Sequence, residues 1–181
     1  ESDQLLIATG RVPNSDILNL QKTGIELNDE GYIQVDGSLS TNIEGIFALG
    51  DIIGRHQFRH SANLEAQYAF YNIFNRNKKI QVDYSAMPHA IFSSPQVAGV
   101  GYKEQELRGI GKMNYEKSIY RYIDTAMGRA LEDRDGFVKF LVNKENRKII
   151  GCHIIGSQAS ILIHEVLVAI KSGDGTIDNI S

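Results

Sequence analysis

The sequence is poor in cysteine, proline and tryptophan, with one cysteine, three prolines and no tryptophan among its 181 residues. A single cysteine excludes an internal disulfide and any metal site built from several cysteines. Cys152 lies in the apolar segment KIIGCHIIG, which is typical of a buried strand. We therefore expect an inert thiol in the core rather than a nucleophile, and we predict no metal site.

The sequence also lacks a strong excess of charge of either sign. Its 19 lysines and arginines and 22 aspartates and glutamates give a net charge of −3, which provides no general attraction to nucleic acid or membrane surfaces. Neither an extended apolar span nor a signal-peptide pattern is present. We predict a cytoplasmic protein that binds neither nucleic acid nor membrane.

The two ends of the sequence look like cuts through a longer polypeptide. The sequence begins with ESDQLLIATG, an apolar run without an initiator methionine, and it stops at GTIDNIS without a closing element. We therefore expect a fragment that contains one large domain or two small ones.

The first half of the sequence predicts short strands and one helix. Residues 4–9 and residues 46–50 form apolar runs closed by glycine, so we expect two buried strands. Residues 31–36 alternate polar and apolar side chains, as in a strand with one buried face. Residues 61–75 place apolar side chains at helical spacing, with Ser61 as the expected N-cap.

The composition changes over residues 76–88, a polar segment that ends in proline. We place a domain boundary there, between residues 1–82 and residues 83–181. The second half alternates β-rich runs with helical patterns, and VNKENRKIIG predicts a hairpin. An antiparallel sheet with packed helices, an α+β domain, is the expected outcome.

The segment GIFALGD, residues 45–51, ends an apolar run with a glycine and a single acid. In open α/β folds, ligands bind beyond the carboxyl ends of the strands. Gly50 would let a ligand approach closely, and the Asp51 carboxylate could accept hydrogen bonds from sugar or polyol hydroxyls. Asp51 could equally cap the turn that follows, and the segment alone leaves both interpretations open.

Several segments together resemble the pyridine nucleotide–disulfide oxidoreductases, a flavin-dependent family. LLIATGRVPN (5–14) and TNIEGIFALGDI (41–52) resemble two of its signatures, in the family's order and spacing. MPHAIFSSPQVAGVGYKEQEL (87–107) resembles the start of its dimerisation domain, and the segment from Gly136 to Gly173 resembles the later strand–hairpin–helix part. The resemblance covers nearly the whole chain.

The resemblance implies a fold for each half of the sequence. Residues 1–82 would be an α/β remnant of the FAD/NAD(P)-binding region, and residues 83–181 an incomplete α+β dimerisation domain that forms a homodimer. FRHSANLEAQYAFYNIF would be the helix that follows GD, with the pattern His-x-Ala-x-x-Glu at His60, Ala62 and Glu65.

The resemblance also implies cofactor contacts for seven residues. Asp51 would bind the ribityl chain of FAD, and Gly50 would allow the close approach. Gly10 and Arg11 would line the path of the cofactor between the nucleotide domains.

The other three residues, Phe58, Arg59 and His60, would lie at the helix start near the pyrimidine edge of the flavin. A helix N-terminus offers N–H groups and partial positive charge, which would stabilise the reduced flavin. His60 could instead be a plain cap or core residue. Arg59 departs from the small residue that is usual in dihydrolipoamide dehydrogenase, which leaves the substrate open.

Other functional segments of the family are not found in this sequence. It has neither of the two G-x-G-x-x-G motifs for FAD and NAD(P), nor a redox cysteine pair, nor a terminal His-Pro…Glu. GVGYKE at 99–104 has only two of three glycines, so we do not interpret it as a phosphate loop. His153 and His164 lie in apolar patterns and are expected in the core or an interface. We predict no catalytic residue in this chain.

The resemblance implies part of an FAD-dependent NAD(P)-disulfide oxidoreductase, in which electrons pass between NAD(P)H, FAD and a redox-active cysteine pair. The partner would be a small-molecule or protein-bound disulfide or dithiol. Dihydrolipoamide dehydrogenase is favoured, and mycothione and mercuric reductases are alternatives. The choice between NAD and NADP stays open, because the residue that contacts the ribose and distinguishes the two cofactors lies outside the segments quoted above.

Two further interpretations stay open. An NADH oxidase or a coenzyme A disulfide reductase of the same superfamily would use a single redox cysteine. Outside catalysis, the chain could act purely as a dimerisation module. We expect the isolated chain to be inactive and to purify as a colourless dimer, while FAD binding by the chain alone is open.

Overall fold

The computed structural model describes residues 2–111 and 113–180. The chain divides into two compact units, one ending at Asp83 and one beginning at Tyr84, named the N-unit and the C-unit below. No helix in the two described ranges is both long enough and apolar enough to cross a membrane.

The N-unit contains one long helix, α1, which spans Arg59–Phe74. Isolated bridges join Leu27 to Ile33 and Ser40 to Phe47. Short 3₁₀ turns occur at Asp16–Leu18, Leu20–Lys22, Gly50–Ile53 and Arg76–Lys78. A small apolar core holds the unit together, and its buried members are Leu20, Ile33, Leu39, Ala48, Ile53 and Ala69.

The two buried strands predicted at residues 4–9 and 46–50 are not formed. Leu5, Leu6 and Ile7 are 85, 88 and 74% exposed, and their segment has no regular secondary structure. A strand is stable only when neighbouring backbone bonds it and neighbouring side chains cover it. No described residue of the N-unit pairs with residues 4–9 in this way. Residues 46–50 are partly buried but make only an isolated bridge before the next turn.

The other two elements predicted for the N-unit have different outcomes. The alternating segment 31–36 pairs only through the bridge at Ile33, so it is not a strand of a sheet. The helix predicted at 61–75 is confirmed, but it begins at Arg59. Ser61 is therefore the third residue of the helix rather than its N-cap, and its side chain is fully buried.

A buried asparagine fastens the end of α1 to two loops of the N-unit. The Asn72 side chain is fully buried. Its Nδ2 donates to the carbonyl oxygens of Ser38 and Ile80, each at 2.9 Å, and its Oδ1 accepts from the Ile80 N–H at 2.8 Å. Because buried polar groups are costly when they are unpaired, this side chain fixes both loops against the helix.

The C-unit is a five-stranded antiparallel sheet with packed helices, which confirms the predicted α+β domain. The strand order across the sheet is β1-β2-β5-β4-β3. The strands are β1 (Pro88–Ile91), β2 (Gln96–Gly101), β3 (Tyr115–Arg121), β4 (Phe137–Asn143) and β5 (Ile149–Gly156). The helices are α2 (Glu104–Ile110), α3 (Ala126–Ala130) and α4 (Ala159–Lys171).

One face of this sheet packs on α4. Successive side chains of a strand point to opposite faces, and Ala98 and Val100 of β2 share the α4 face with Cys152 and Ile154 of β5. These four residues are at most 2% exposed and pack with residues of α4 such as Ile163. Burial of this layer is the main apolar stabilisation of the C-unit.

Replacing Asn72 with alanine would leave the Ile80 N–H and the carbonyl oxygens of Ser38 and Ile80 without this partner. We expect the free energy of unfolding to fall by about 2–3 kcal/mol, since leaving a buried polar group unpaired costs roughly 1–3 kcal/mol. Chemical denaturation followed by circular dichroism measures the loss. Asn75→Ala is the matched control, because Asn75 is exposed and its side chain donates to the Tyr71 carbonyl at the end of the same helix. Equal losses in the two variants would contradict the role of Asn72.

Candidate functional site

The predicted site is built around a tight turn at Gly50 and Asp51. Gly50 has a φ of +76°, a backbone conformation that residues with a side chain rarely adopt. The 3₁₀ turn that starts there runs to Ile53. Gly50 itself is buried, whereas the Asp51 side chain is 62% exposed. The turn therefore presents a carboxylate to solvent.

A buried carboxylate of α1 holds this turn in place. Glu65 is fully buried, and its Oε2 accepts a hydrogen bond from the Gly50 N–H at 2.6 Å. Its Oε1 accepts from the Ser61 hydroxyl at 3.1 Å, one helical turn away. Hydrogen bonds to a charged acceptor are strong, and a buried carboxylate is stable only with such partners. Glu65 thereby fixes the backbone from which Asp51 projects.

Sequence reasoning misses Glu65 as a residue of the site. It marks Glu65 only as part of the pattern that identifies the helix. The spacing of four residues puts Ser61 and Glu65 on one helix face, which is a signal for their mutual bond. The bond to Gly50 has no such signal, because Gly50 lies 15 residues earlier in the chain.

Asp51 lies in a cleft opposite Arg11. The Arg11 Nη1 atom is 3.6 Å from the Asp51 Oδ2 atom and 3.5 Å from the carbonyl oxygen of Gln57. Both charged side chains are mostly exposed, so water screens the pair and it contributes little to stability. The cleft has a volume of about 260 Å³ and is lined by Arg11, Val12, Pro13, Asn14, Tyr32, Asp51, Ile52 and Gln57. The structure thus brings Arg11 and Asp51 together.

Gly10 was predicted to contact the cofactor but does not line this cleft, whereas Tyr32 was not predicted and does line it. Gly10 is exposed with a φ of +98° and is not a lining residue, so its cofactor contact stays a prediction. Tyr32 lines the cleft, and its hydroxyl accepts a hydrogen bond from the Gln57 Nε2 at 2.8 Å. Tyr32 and Gln57 come from loops without a motif, and nothing in the sequence identifies them as part of the site.

Phe58, Arg59 and His60 lie together at the start of α1. Phe58 is the N-cap residue, and its side chain makes no capping hydrogen bond. Its ring stacks on the His60 imidazole, with centroids 5.3 Å apart and planes inclined by 9°. Arg59 is exposed and adds its charge to a helix end that is already partly positive. This end of the helix suits an electron-rich ligand.

His56, in the loop before α1, lies close enough to Glu65 to be affected by its charge. Burial lowers the pKa of His56, the Glu65 carboxylate opposes that shift, and Arg55 and His60 add to it. The His56 imidazole is therefore mainly neutral at pH 7. Fixed positive charge near the helix start comes from Arg55 and Arg59 rather than from His56.

Cys152 takes no part in this site. It is fully buried in the core of the C-unit. Burial raises the pKa of its thiol to about 12, so the sulfur is protonated at neutral pH. The prediction of an inert core cysteine is confirmed.

Removing the Glu65 carboxylate should release the Gly50 turn. For Glu65→Ala we expect the Gly50 amide hydrogen to exchange roughly ten- to hundredfold faster, because a hydrogen bond to a charged group contributes about 1.5–3 kcal/mol. Hydrogen exchange followed by NMR spectroscopy measures this rate. Glu44→Ala, at an exposed position, is the control and should leave the rate unchanged. Undiminished protection of Gly50 in Glu65→Ala would mean that Glu65 does not anchor the turn.

Two models of one protein family match the chain. The model described as "Pyridine nucleotide-disulphide oxidoreductase, dimerisation domain" matches residues 87–180. The model described as "Pyridine nucleotide-disulphide oxidoreductase" matches residues 1–66. Both agree with the resemblance that the sequence motifs carry.

Curated relatives are similar over nearly all of the chain. Dihydrolipoyl dehydrogenase from Geobacillus stearothermophilus is 38% identical over 173 residues, which cover 96% of this chain and 36% of the relative. Mycothione reductase from Mycobacterium tuberculosis (strain H37Rv) is 36% identical over 176 residues, which cover 95% of this chain and 38% of the relative. The chain thus spans little more than a third of the length of these relatives.

Solved structures share the fold. LpdA from Mycobacterium tuberculosis superposes with a TM-score of 0.78 at 27% identity, over 89% of this chain and 35% of that one. The HOCl-induced flavoprotein disulfide reductase RclA from Escherichia coli gives a TM-score of 0.79 at 24% identity, over 93% and 38%. With the two family models, they confirm the predicted fold class: the first part of the chain matches the family's oxidoreductase model and the C-unit is its α+β dimerisation domain.

The match to the dimerisation-domain model extends over more than half of the chain, residues 87–180 of 181. Members of this family are FAD-dependent NAD(P)H disulfide oxidoreductases. The sequence motifs, the fold and the similar proteins agree. The chain belongs to the pyridine nucleotide-disulphide oxidoreductase family.

Proposed function

We propose that this chain is part of a cytoplasmic, FAD-dependent NAD(P)-disulfide oxidoreductase, to which it supplies flavin contacts and the homodimer interface. In this proposal residues 1–82 belong to the FAD/NAD(P)-binding region and residues 83–181 to the dimerisation domain. The observation that carries the proposal is the turn at Gly50, which Glu65 anchors and which presents the exposed Asp51 carboxylate.

The residues of the turn fit the sugar-alcohol chain of a flavin. Gly50 has no side chain, so a ligand can approach its backbone closely. The Asp51 carboxylate carries two acceptor oxygens for ribityl hydroxyl groups. Arg11 lies 3.6 Å from Asp51 and lines the same cleft. When bound, FAD carries electrons between NAD(P)H and a redox-active disulfide.

The start of α1 fits the pyrimidine edge of the same cofactor. The N–H groups of the first helical turn and the Arg59 guanidinium create a positive potential, which stabilises negative charge near them. The stacked rings of Phe58 and His60 add a flat aromatic surface beside that charge. In the proposal these three residues bind and orient the flavin ring, and Gly10 and Arg11 line its approach.

The proposed substrate is a disulfide or dithiol, with dihydrolipoamide as the first candidate and mycothione or mercuric ion as alternatives. Relatives with 38% and 36% identity are named dihydrolipoyl dehydrogenase and mycothione reductase. Their near-equal identity supports the disulfide class more strongly than it supports either substrate. Because Cys152 is buried and protonated, the redox cysteines of the proposal come from outside this chain.

Exposed apolar side chains on α4 support the proposed homodimer. Exposed apolar side chains on the outer face of a helix are typical of a contact site. Ile163 and Val166 point into the core of the C-unit, but Ile161 and Val168 are 64 and 65% exposed. These two residues are seven positions apart, which places them on one outer stripe of the helix, together with the exposed His164 and Glu165. We propose that this stripe packs against a second copy of the chain.

The flavin contact is tested in the full-length enzyme that contains this chain. For Asp51→Ala we expect FAD affinity to fall about ten- to hundredfold, since hydrogen bonds to a charged group contribute about 1.5–3 kcal/mol. Titration of the apoenzyme with FAD, followed by flavin fluorescence, measures the affinity. Asp29→Ala, at an exposed position of the same unit, should bind FAD like the wild type. Wild-type affinity in Asp51→Ala would remove Asp51 from the flavin site, and a flavin-free full-length enzyme would overturn the proposed function.

The homodimer is tested with the 181-residue chain itself. We expect a dimer without flavin absorbance, and we expect Ile161→Lys to shift it to monomer because a charge would be buried in the contact. Analytical ultracentrifugation measures the mass. Ile110→Lys, at an exposed position on α2, is the control and should leave the dimer intact. A monomeric wild-type chain would contradict the proposed interface, and a yellow chain would show that it binds FAD alone.

A further inference from the structure

Two histidines flank a glycine on the sheet of the C-unit. Gly99 on β2 lies opposite His89 on β1 and opposite His153 on β5, so the three residues form one row across three strands. Their sequence neighbours Ala98 and Ile154 belong to the core that packs on α4. Because side chains alternate along a strand, both imidazoles project from the opposite face of the sheet. Both are half-buried there.

The two imidazoles border the space above Gly99. A Cβ atom at Gly99 would lie 2.6 Å from the His153 Nδ1 atom, 2.7 Å from the His89 Cε1 atom and 3.0 Å from the His89 Nε2 atom. The ring centroids are 6.3 Å apart, with planes inclined by 45°. One nitrogen of each ring therefore borders the same small volume, which glycine at this position leaves open.

The tautomer of His153 is set by a backbone carbonyl. The His153 Nε2 atom lies 2.9 Å from the carbonyl oxygen of Tyr102. A carbonyl can only accept, so Nε2 carries the hydrogen, and in the neutral ring the lone pair is on Nδ1. A histidine that binds a metal is commonly held in this way, with its distal N–H bonded to an oxygen. The lone pair of His153 thus points toward the volume above Gly99.

His89 is the second candidate ligand, because its Nε2 atom borders the same volume. Divalent transition metals such as Zn²⁺ and Cu²⁺ bind imidazole nitrogens readily.

The charges around the two histidines set the strength of such a site. Lys139 lies beside His153 in the sheet register, but its Nζ is 3.5 Å from a Glu104 carboxylate oxygen. Lys103 adds positive charge near His89. In the described ranges no cluster of three or more His, Cys, Asp or Glu side chains is arranged to hold a metal. A cation bound here would have two protein ligands, and water would complete its shell.

We propose that His89 and His153 bind a divalent transition metal ion such as Zn²⁺ or Cu²⁺ in the space above Gly99. The ion would join β1 to β5 across β2, because its two ligands come from those outer strands of the row. An ion that binds only the folded state raises the unfolding temperature by mass action. The site lies in the C-unit and does not depend on the proposed flavin contacts.

The test is metal titration of the tag-free 181-residue chain at pH 7.5. We expect saturable binding of Zn²⁺ by calorimetry, tighter binding of Cu²⁺ as the usual metal order requires, and a rise of the unfolding temperature with Zn²⁺. For His89→Gln and His153→Gln we expect affinity to fall about tenfold or more, as when metal sites lose a supporting group. The double variant should be no weaker than the single ones, since either loss removes the pair.

Glu145→Gln is the matched control, because Glu145 is a potential metal ligand that lies exposed in the turn between β4 and β5 of the same unit. Its Zn²⁺ affinity and its Zn²⁺-induced rise in unfolding temperature should equal those of the wild type. Circular dichroism shows whether each variant is folded. In NMR spectra of the histidine side chains, Zn²⁺ should shift Nδ1 of His153 and Nε2 of His89. Absence of Zn²⁺ and Cu²⁺ binding by the wild type, or wild-type affinity in the His89→Gln and His153→Gln variants, would overturn the proposal.

Discussion

The hydrogen bond from the Gly50 N–H to the Glu65 carboxylate is the contact on which the N-unit depends. This unit has no sheet among its described residues, so its loops cannot be positioned by strand pairing. Side chains of the helix α1 position these loops instead, by hydrogen bonds to backbone groups. Glu65 fixes the turn before the helix, and Asn72 fixes two loops near its end. The turn that carries the Asp51 carboxylate is thereby held in a fixed position relative to α1.

Some structural features of the N-unit can be predicted from its sequence, and others cannot. The helix follows from local periodicity, which needs no information about distant residues. The apolar run at residues 4–9 was wrongly predicted as a strand, because apolar character signals burial but cannot supply a pairing partner. Asp51 is recognisable in the sequence as an acid after an apolar run. The hydrogen bond between Glu65 and Gly50, which anchors the turn, is not, because the two residues are 15 positions apart and no sequence pattern links them. The roles of the flavin-contact residues stay predictions.

The C-unit is more predictable because two of its strand pairs, β1–β2 and β4–β5, are joined by short connections. The hairpin of β4 and β5 is readable from β-rich runs around a polar turn, but the shift of its register between Leu141 and Val142 is not. The short helix α3 was missed, since its five residues, Ala126–Ala130, are too few to show a period. No pattern in the sequence indicates that His89, Gly99 and His153 form a row. Its members are brought together only by the register of two separate strand pairs.

The burial of Cys152 has a practical consequence for spectroscopy. The only thiol of the chain is enclosed between the sheet and α4, and it stays protonated at the pH of ordinary labelling reactions. A cysteine introduced at the surface of either unit would be the sole site to react with a maleimide dye or a nitroxide. Distances within the chain can therefore be recorded with no further mutation, and the core is left intact.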